Sequence, residues 1–292
     1  MTAEPVPALV DPEWLEPRLE DPDLRVVDCT LHLSFDPETG ARRSESGRSD
    51  WEAGHISGSV FADIQADLSA IDPEYPYQRP SPERFAEAME ALGIGDDSRV
   101  VLCDSEGNSW AARVWWLLRA FGFDRAGILN GGWDRWTEEG RPVSTARPVE
   151  REVTFTPDPR PELFVEKEAV LEAIGDDDCC LVNALRSEDH AGTGLVKYGR
   201  PGRIPGSVNV PAVGEEAFVD PAEKTYLPRA ALRERFAEVG ATESERVVTY
   251  CGGGIAASNA AFALHLLGVE EVAVYDGSLA EWGRTDLPME TD

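Results

Sequence analysis

Apolar residues fall along this chain in short blocks, separated by longer stretches of helical spacing. Eight blocks stand out: LRVVDCT, SVFADI, SRVVLCD and RAGILN in the first half, and CCLVNAL, SVNVPA, RVVTYC and VAVYDG in the second. They show little internal alternation, which predicts strands of a parallel sheet buried on both faces. Between them lie SPERFAEAMEALG, SWAARVWWLLRAFG, PRAALRERFAEVG and ASNAAFALHLLG. Several of these begin at Ser or Pro and end at Gly, as helices do. Strands alternating with helices predict an α/β fold, each sheet small, mostly parallel and flanked by helices on both faces.

The same order of blocks occurs twice. GHISGSVFAD (54–63), RVVLCD (99–104) and NGGWDRW (130–136) recur as GRIPGSVNVP (202–211), RVVTYC (246–251) and DGSLAEW (276–282), 146 to 148 residues further on. An internal repeat of this length predicts two tandem domains. We place them at residues 1–146 and 162–292. The Pro-, Thr- and Arg-rich stretch around 147–161 reads as the linker.

Residues 246–267, RVVTYCGGGIAASNAAFALHLL, read as a strand, a tight glycine loop and a helix N-terminus, with Cys251 at the turn. Loop N–H groups and the positive end of a helix dipole stabilise a thiolate there. Glycines let the backbone curl round the sulfur. At the matching strand end the first half has Asp104, followed by a loop one residue longer, DSEGNSWA. One copy therefore carries a thiol and the other does not. The remaining cysteines, Cys29, Cys103, Cys179 and Cys180, sit in or beside apolar blocks and read as small core residues. Five cysteines without a C-x-x-C pair form neither a disulfide framework nor a zinc spacing.

The chain carries 55 acidic and 27 basic residues, a formal net charge of −28. Against that background, residues 190–214 contain no acid but hold Lys197, Arg200 and Arg203, with Arg186 just before them. They read as an anion-binding lip, since a strongly negative protein needs a local cationic patch to hold an anion. His265 falls within a helix and reads as a packing residue, and no histidine is close to Cys251 in sequence. The tryptophans at 115, 116, 133, 136 and 282 read as packing residues too. Neither G-x-G-x-x-G nor GK[ST] occurs, so no nucleotide fingerprint is present.

The two G-[HR]-I-x-G-S-V segments, RVWWLLRAFG (113–122), NGGW (130–133), YCGGGIAA (250–257) and YDGSLAEW (275–282) together resemble the two-domain rhodaneses, the thiosulfate and 3-mercaptopyruvate sulfurtransferases. The resemblance covers nearly the whole chain. It implies two tandem rhodanese-like domains, the first inactive with Asp104 in the cysteine's place. The persulfide-cradling loop is then Cys251, Gly252, Gly253, Gly254, Ile255 and Ala256. The implied reaction is a double displacement with ping-pong kinetics. Cys251 takes a sulfane sulfur from a small anionic donor and passes it to cyanide or a thiol, a protein thiol included. No metal or organic cofactor is implied. The donor expected is thiosulfate, with 3-mercaptopyruvate as the alternative. Mercaptopyruvate enzymes place Ser where Gly253 stands, and a His and an Asp in the first domain where PEYPYQRP (73–80) has no His. The family's first substrate arginine aligns with Asp189, so Arg186, Lys197 and Arg200 are the expected substrate contacts. The cell-cycle phosphatases share the fold but need Arg where Ala257 stands. A binding module without catalysis would have lost the cysteine.

The acids are scattered along the chain and lysine is almost absent, only Lys167, Lys197 and Lys224. Such a surface disfavours nucleic acid and anionic membranes as partners. No basic and apolar leader is visible at the N-terminus, so the expected location is cytoplasmic. The acid excess suits a high-salt interior, where screening shortens self-repulsion. The midpoint of thermal unfolding is expected to rise steadily with added KCl. A midpoint that is the same without salt and in molar KCl would overturn that expectation.

Overall fold

The computed structural model describes residues 4–292. Two five-stranded sheets organise it. The first runs in the order Leu9–Val10, Ala126–Leu129, Arg99–Cys103, Leu24–Asp28, Val60–Phe61. The second runs Phe164–Val165, Val272–Tyr275, Arg246–Tyr250, Cys179–Asn183, Val208–Asn209. Every pairing within both sheets is parallel. Each strand occupies the position of its sequence counterpart, so the repeat of sequence is a repeat of topology. All eight apolar blocks contain strands. Their lack of alternation has its cause in burial: Val100, Val101, Leu102, Val247 and Val274 are all fully enclosed, on whichever face they lie. The outermost strands, Leu9–Val10 and Phe164–Val165, are two residues each and too short to show as blocks.

The helices Ser109–Ala120 and Ile255–Leu267 pack on each other between the sheets. Each also covers its own sheet, so both are apolar nearly all round. Trp115 meets Phe262 edge-on at 4.8 Å. Symmetry persists in small contacts. The Trp136 indole donates to Pro142 O at 3.0 Å, and the Trp282 indole to Pro288 O at 2.9 Å.

Two regions break the repeat. The first half has an antiparallel hairpin, Leu31–Phe35 with Arg42–Ser46, that the apolar pattern does not announce. The second half has instead the short helix Ser187–Ala191 and a loop. The stretch 147–161 does not hang free. Phe155 is buried between Phe85 and Phe123, and the backbone N–H groups of Asp158 and Arg160 bond to Phe121 O and Ala120 O. The stretch is strapped along the first domain. Among the described residues no helix is long and apolar enough to cross a membrane.

One buried ion pair joins the halves. Arg113, on the first central helix, lies 2.6 Å from Asp276, which follows the strand Val272–Tyr275; each side chain is 1% exposed. Arg113 also donates to Tyr77 O at 2.8 Å, and Asp276 accepts the backbone N–H of Arg79 at 2.8 Å. Removing one partner strands the other charge in a low-dielectric interior. Asp276→Ala should lower unfolding stability by about 3–5 kcal/mol, measured by urea titration, and Arg113→Met with Asp276→Leu by less than that. A loss below about 1 kcal/mol for Asp276→Ala would show that the pair is not a main tie between the halves.

Candidate active site

The strand Arg246–Tyr250 ends at Cys251, and the helix Ile255–Leu267 begins four residues later. The turn between them is tight. Gly254 has φ +82°, the left-handed region that favours glycine. A Cβ on Gly252 would lie 2.1 Å from Tyr198 Cζ, so only glycine fits beneath that ring.

The loop is held from behind. Ser278 Oγ accepts the N–H groups of Cys251 at 3.0 Å and Gly254 at 3.2 Å, and donates to Tyr275 O at 2.8 Å. The N–H groups of Leu279 and Ala280, at the start of the helix Ser278–Trp282, bond to the carbonyls of Cys251 and Gly252. Ser278 takes φ +48° to do this, an uncommon conformation for a non-glycine residue. With carbonyls and two N–H groups tied down, the N–H groups of Gly252, Gly253, Ile255, Ala256 and Ala257 have no acceptor among the described residues.

The first half shows what such a loop binds. There the Asp104 carboxylate accepts four backbone N–H groups: Glu106 at 2.8 Å, Asn108 at 2.9 Å, Trp110 at 2.9 Å and Ala111 at 2.8 Å. Burial pushes this carboxyl up to about 6, against the downward pull of those donors. The second-half counterparts of Trp110 and Ala111 are Ala256 and Ala257, whose N–H groups are open. Gly132 stands where Ser278 stands in the second half. Thus the Asp104 loop fills its own cradle with a carboxylate, whereas the Cys251 loop is braced from outside by a hydroxyl.

Cys251 is 2% exposed and lies on the wall of a cavity of about 490 Å³ between the two halves. The first half contributes Phe35, Arg42, Tyr77, Glu106 and Trp110; the second contributes the loop, Arg186, Asp189, Lys197, Tyr198 and Arg284. Burial, with the charge of nearby Cys251 adding to it, pushes the Tyr198 hydroxyl up, so that group stays a hydrogen-bond donor. No histidine lines the cavity, although His32 bonds its wall residue Glu106. His265 packs on Trp115, and burial lowers it to about 4; His32 is raised because it bonds Glu106 and Asp50 at 2.7 Å each.

The expected site residues divide. Cys251, Gly252, Gly253, Ile255 and Ala256 line the cavity, while Gly254 lies behind, against Asp276. Arg186 lines it with its side chain 55% exposed, 3.7 Å from Glu188. Lys197 lines it as half of an ion pair, since both oxygens of Asp189 hold its ammonium at 2.9 Å. Arg200 is not among the lining residues of this cavity: its guanidinium bonds to the carbonyls of Leu287, Trp282 and Gly283. Arg203 pairs with Asp292 at 2.7 Å. The acid-free window therefore uses most of its charge within the protein. Sequence reasoning missed Ser278, Tyr198, Arg42 and Arg284. The repeat carried a signal for Ser278, as a hydroxyl where the first copy has glycine. Arg42 had none, because its hairpin has no counterpart in the second half.

The sequence profile of the rhodanese-like domain matches residues 11–139 and again 167–285. The chain is 31% identical over 294 residues to a 3-mercaptopyruvate sulfurtransferase of Escherichia coli, covering 96% of this chain and 97% of that one. It is 31% identical over 297 residues to a thiosulfate sulfurtransferase of Rattus norvegicus, covering 96% and 93%. The crystal structure of an E. coli 3-mercaptopyruvate sulfotransferase superposes with a TM-score of 0.78 at 28% identity, over 94% of this chain and 99% of that one. Matched by that profile in both halves and by those relatives along nearly its whole length, the chain belongs to the two-domain rhodanese family of sulfurtransferases.

Proposed function

We propose that this chain moves the outer sulfur of thiosulfate to a thiophilic acceptor, cyanide or a thiol, through a persulfide on Cys251. The observation that carries the reading is the open cradle at Cys251, set beside its twin in which four N–H groups already bind an anion. The Cys251 thiolate attacks the outer sulfur of thiosulfate. An S–S bond forms, the donor's own S–S bond breaks, and its electron pair leaves on sulfite. The terminal persulfide sulfur carries the negative charge, and the N–H groups of Gly252, Gly253, Ile255 and Ala256 receive it without rearranging. Attack by cyanide or a thiolate on that sulfur forms thiocyanate or a new persulfide and returns the thiolate. No proton moves in the donor step. Arg186, and Lys197 within its pair, stand on the wall where donor oxygens would lie.

3-Mercaptopyruvate is a second reading, favoured by a cysteine loop with no basic side chain. Its C–S cleavage leaves an enolate that must gain a proton. No histidine lines the cavity, its Asp189 is committed to Lys197, and its Glu106 is bonded to His32. Those features favour thiosulfate. The acid-rich composition supports a high-salt cytoplasm as the setting.

Intact mass after incubation with thiosulfate should show one added sulfur on the wild type and none on Cys251→Ser. No gain with either thiosulfate or mercaptopyruvate would overturn the proposal. Ser278→Ala removes the brace behind the loop and should lower steady-state turnover by about tenfold or more. Turnover equal to wild type would mean that the cradle holds its shape without the hydroxyl.

A further inference from the structure

The cations of the acid-free run 190–214 do not behave as a simple basic lip. Lys197 is neutralised by Asp189, both side chains being about nine-tenths buried. Arg200 is turned to backbone carbonyls. What remains on the cavity wall is three guanidinium groups: Arg186 and Arg284 from the second half, and Arg42 from the first. Arg186 has Glu188 within 3.7 Å. Neither Arg42 nor Arg284 makes an ion pair among the described residues, although the chain carries twice as many acids as bases.

Arg42 is also placed by its surroundings. Its guanidinium lies over the Tyr77 ring, 4.9 Å from the centroid. Tyr77 in turn stands edge-on to Trp110 at 5.1 Å. Its backbone sits at φ +61°, and its carbonyl accepts from Arg113, which pairs with Asp276. Asp276 is two residues before Ser278, the brace of the cysteine loop. The same stretch reaches the loop directly: a Cβ on Gly253 would meet Pro76 O at 3.4 Å. A platform in the first domain is thereby kept in register with the thiol of the second. An arginine stacked on an aromatic ring keeps its in-plane N–H groups free for an oxyanion.

We propose that Arg42 is the specificity-determining residue for the sulfur donor. It holds the donor's anionic oxygens across the cavity from the Cys251 loop, so the domain whose loop carries Asp104 instead of a cysteine selects the substrate. The substrate class this implies is a small sulfur compound whose transferable sulfur lies next to a sulfonate- or carboxylate-like group. The inference rests on the persulfide reading above. Arg42 takes no part in bond making and acts only by positioning.

The test is ping-pong steady-state kinetics with thiosulfate and cyanide on wild type, Arg42→Ala, Arg42→Lys and Arg43→Ala. Arg43 is next on the same strand, points to the opposite face and pairs with Asp36, so its removal is the control. Arg42→Ala should raise the donor KM by roughly tenfold, the scale of one charge-assisted hydrogen bond, with kcat and the acceptor KM unchanged. Arg42→Lys should fall between, and Arg43→Ala should match wild type. The difference in donor KM between wild type and Arg42→Ala should persist in molar KCl, because a contact pair survives the screening that removes long-range repulsion. A donor KM within twofold of wild type in Arg42→Ala overturns the inference. So does an equal loss in both half-reactions with a lowered thermal midpoint, which marks a structural role. A wild type that gains no sulfur from either donor fails at the earlier step, and takes the sulfurtransferase reading down with the inference.

Discussion

A helix cannot satisfy its own first N–H groups, and that constraint shapes both halves of this protein. At each site a buried parallel strand feeds directly into the central helix, so those donors cannot turn to bulk water. An acceptor within the protein must meet them, or they stay open to a ligand, as those of Ile255, Ala256 and Ala257 do. In the first half it is Asp104, which places a carboxylate in the middle of the cradle and bonds four N–H groups at once. In the second half the bracing task moves to Ser278, whose hydroxyl reaches the loop from behind and leaves the centre open. The position that holds Ser278 is Gly132 in the first copy. The two substitutions are complementary, acid for thiol and glycine for serine, and together they separate a closed anion site from an open one.

Opening the cradle creates a second requirement, because a glycine loop lacking an internal anion needs outside walls. The first domain supplies them. Its hairpin brings Phe35 and Arg42, and the stretch around Tyr77 roofs the glycines. Registry between roof and loop depends on Arg113 and Asp276. A buried pair of this kind contributes little net stability compared with a well-packed apolar contact, but it is intolerant of misalignment. Its location fits that use. It joins the helix of one domain to the residue two before Ser278, and both partners bond to the roof, Arg113 through Tyr77 O and Asp276 through Arg79 N. A domain whose own loop carries Asp104 in place of a cysteine thus supplies walls of the cavity at Cys251.

Much of this was legible from the chain alone. The eight strands declared themselves because their residues are buried on both faces, and the repeat declared the two sheets. Cys251 stood out because a thiol followed by three glycines at a strand end has few other uses. The cationic residues were harder to read. Lys197, Arg200 and Arg203 formed an acid-free run in sequence, yet Lys197 meets Asp189, Arg200 meets carbonyls and Arg203 meets Asp292. Local composition does not reveal which distant partner a long side chain finds. Arg42 was invisible for a related reason. It lies in a polar hairpin whose pairing, Phe35 with Arg42, is set by the turn between the strands and leaves no apolar signature.

The charge of the whole molecule sets the terms on which this site works. At net −28, long-range attraction of an anionic donor is not available; the summed field repels it. Screening reduces that repulsion, since the Debye length falls from about 8 Å at 0.15 M salt to about 3 Å at 1 M. Hydrogen bonds at contact distance act inside that length and survive. High salt therefore removes the unfavourable part of the electrostatics and keeps the favourable part, provided the cations touch the ligand. A stacked guanidinium on the wall and a ring of backbone N–H groups on the floor both act at contact. A diffuse basic patch would lose its effect under the same conditions. On this argument the run 190–214 need not be a lip at all, and its arginines are better used holding the second domain's chain together.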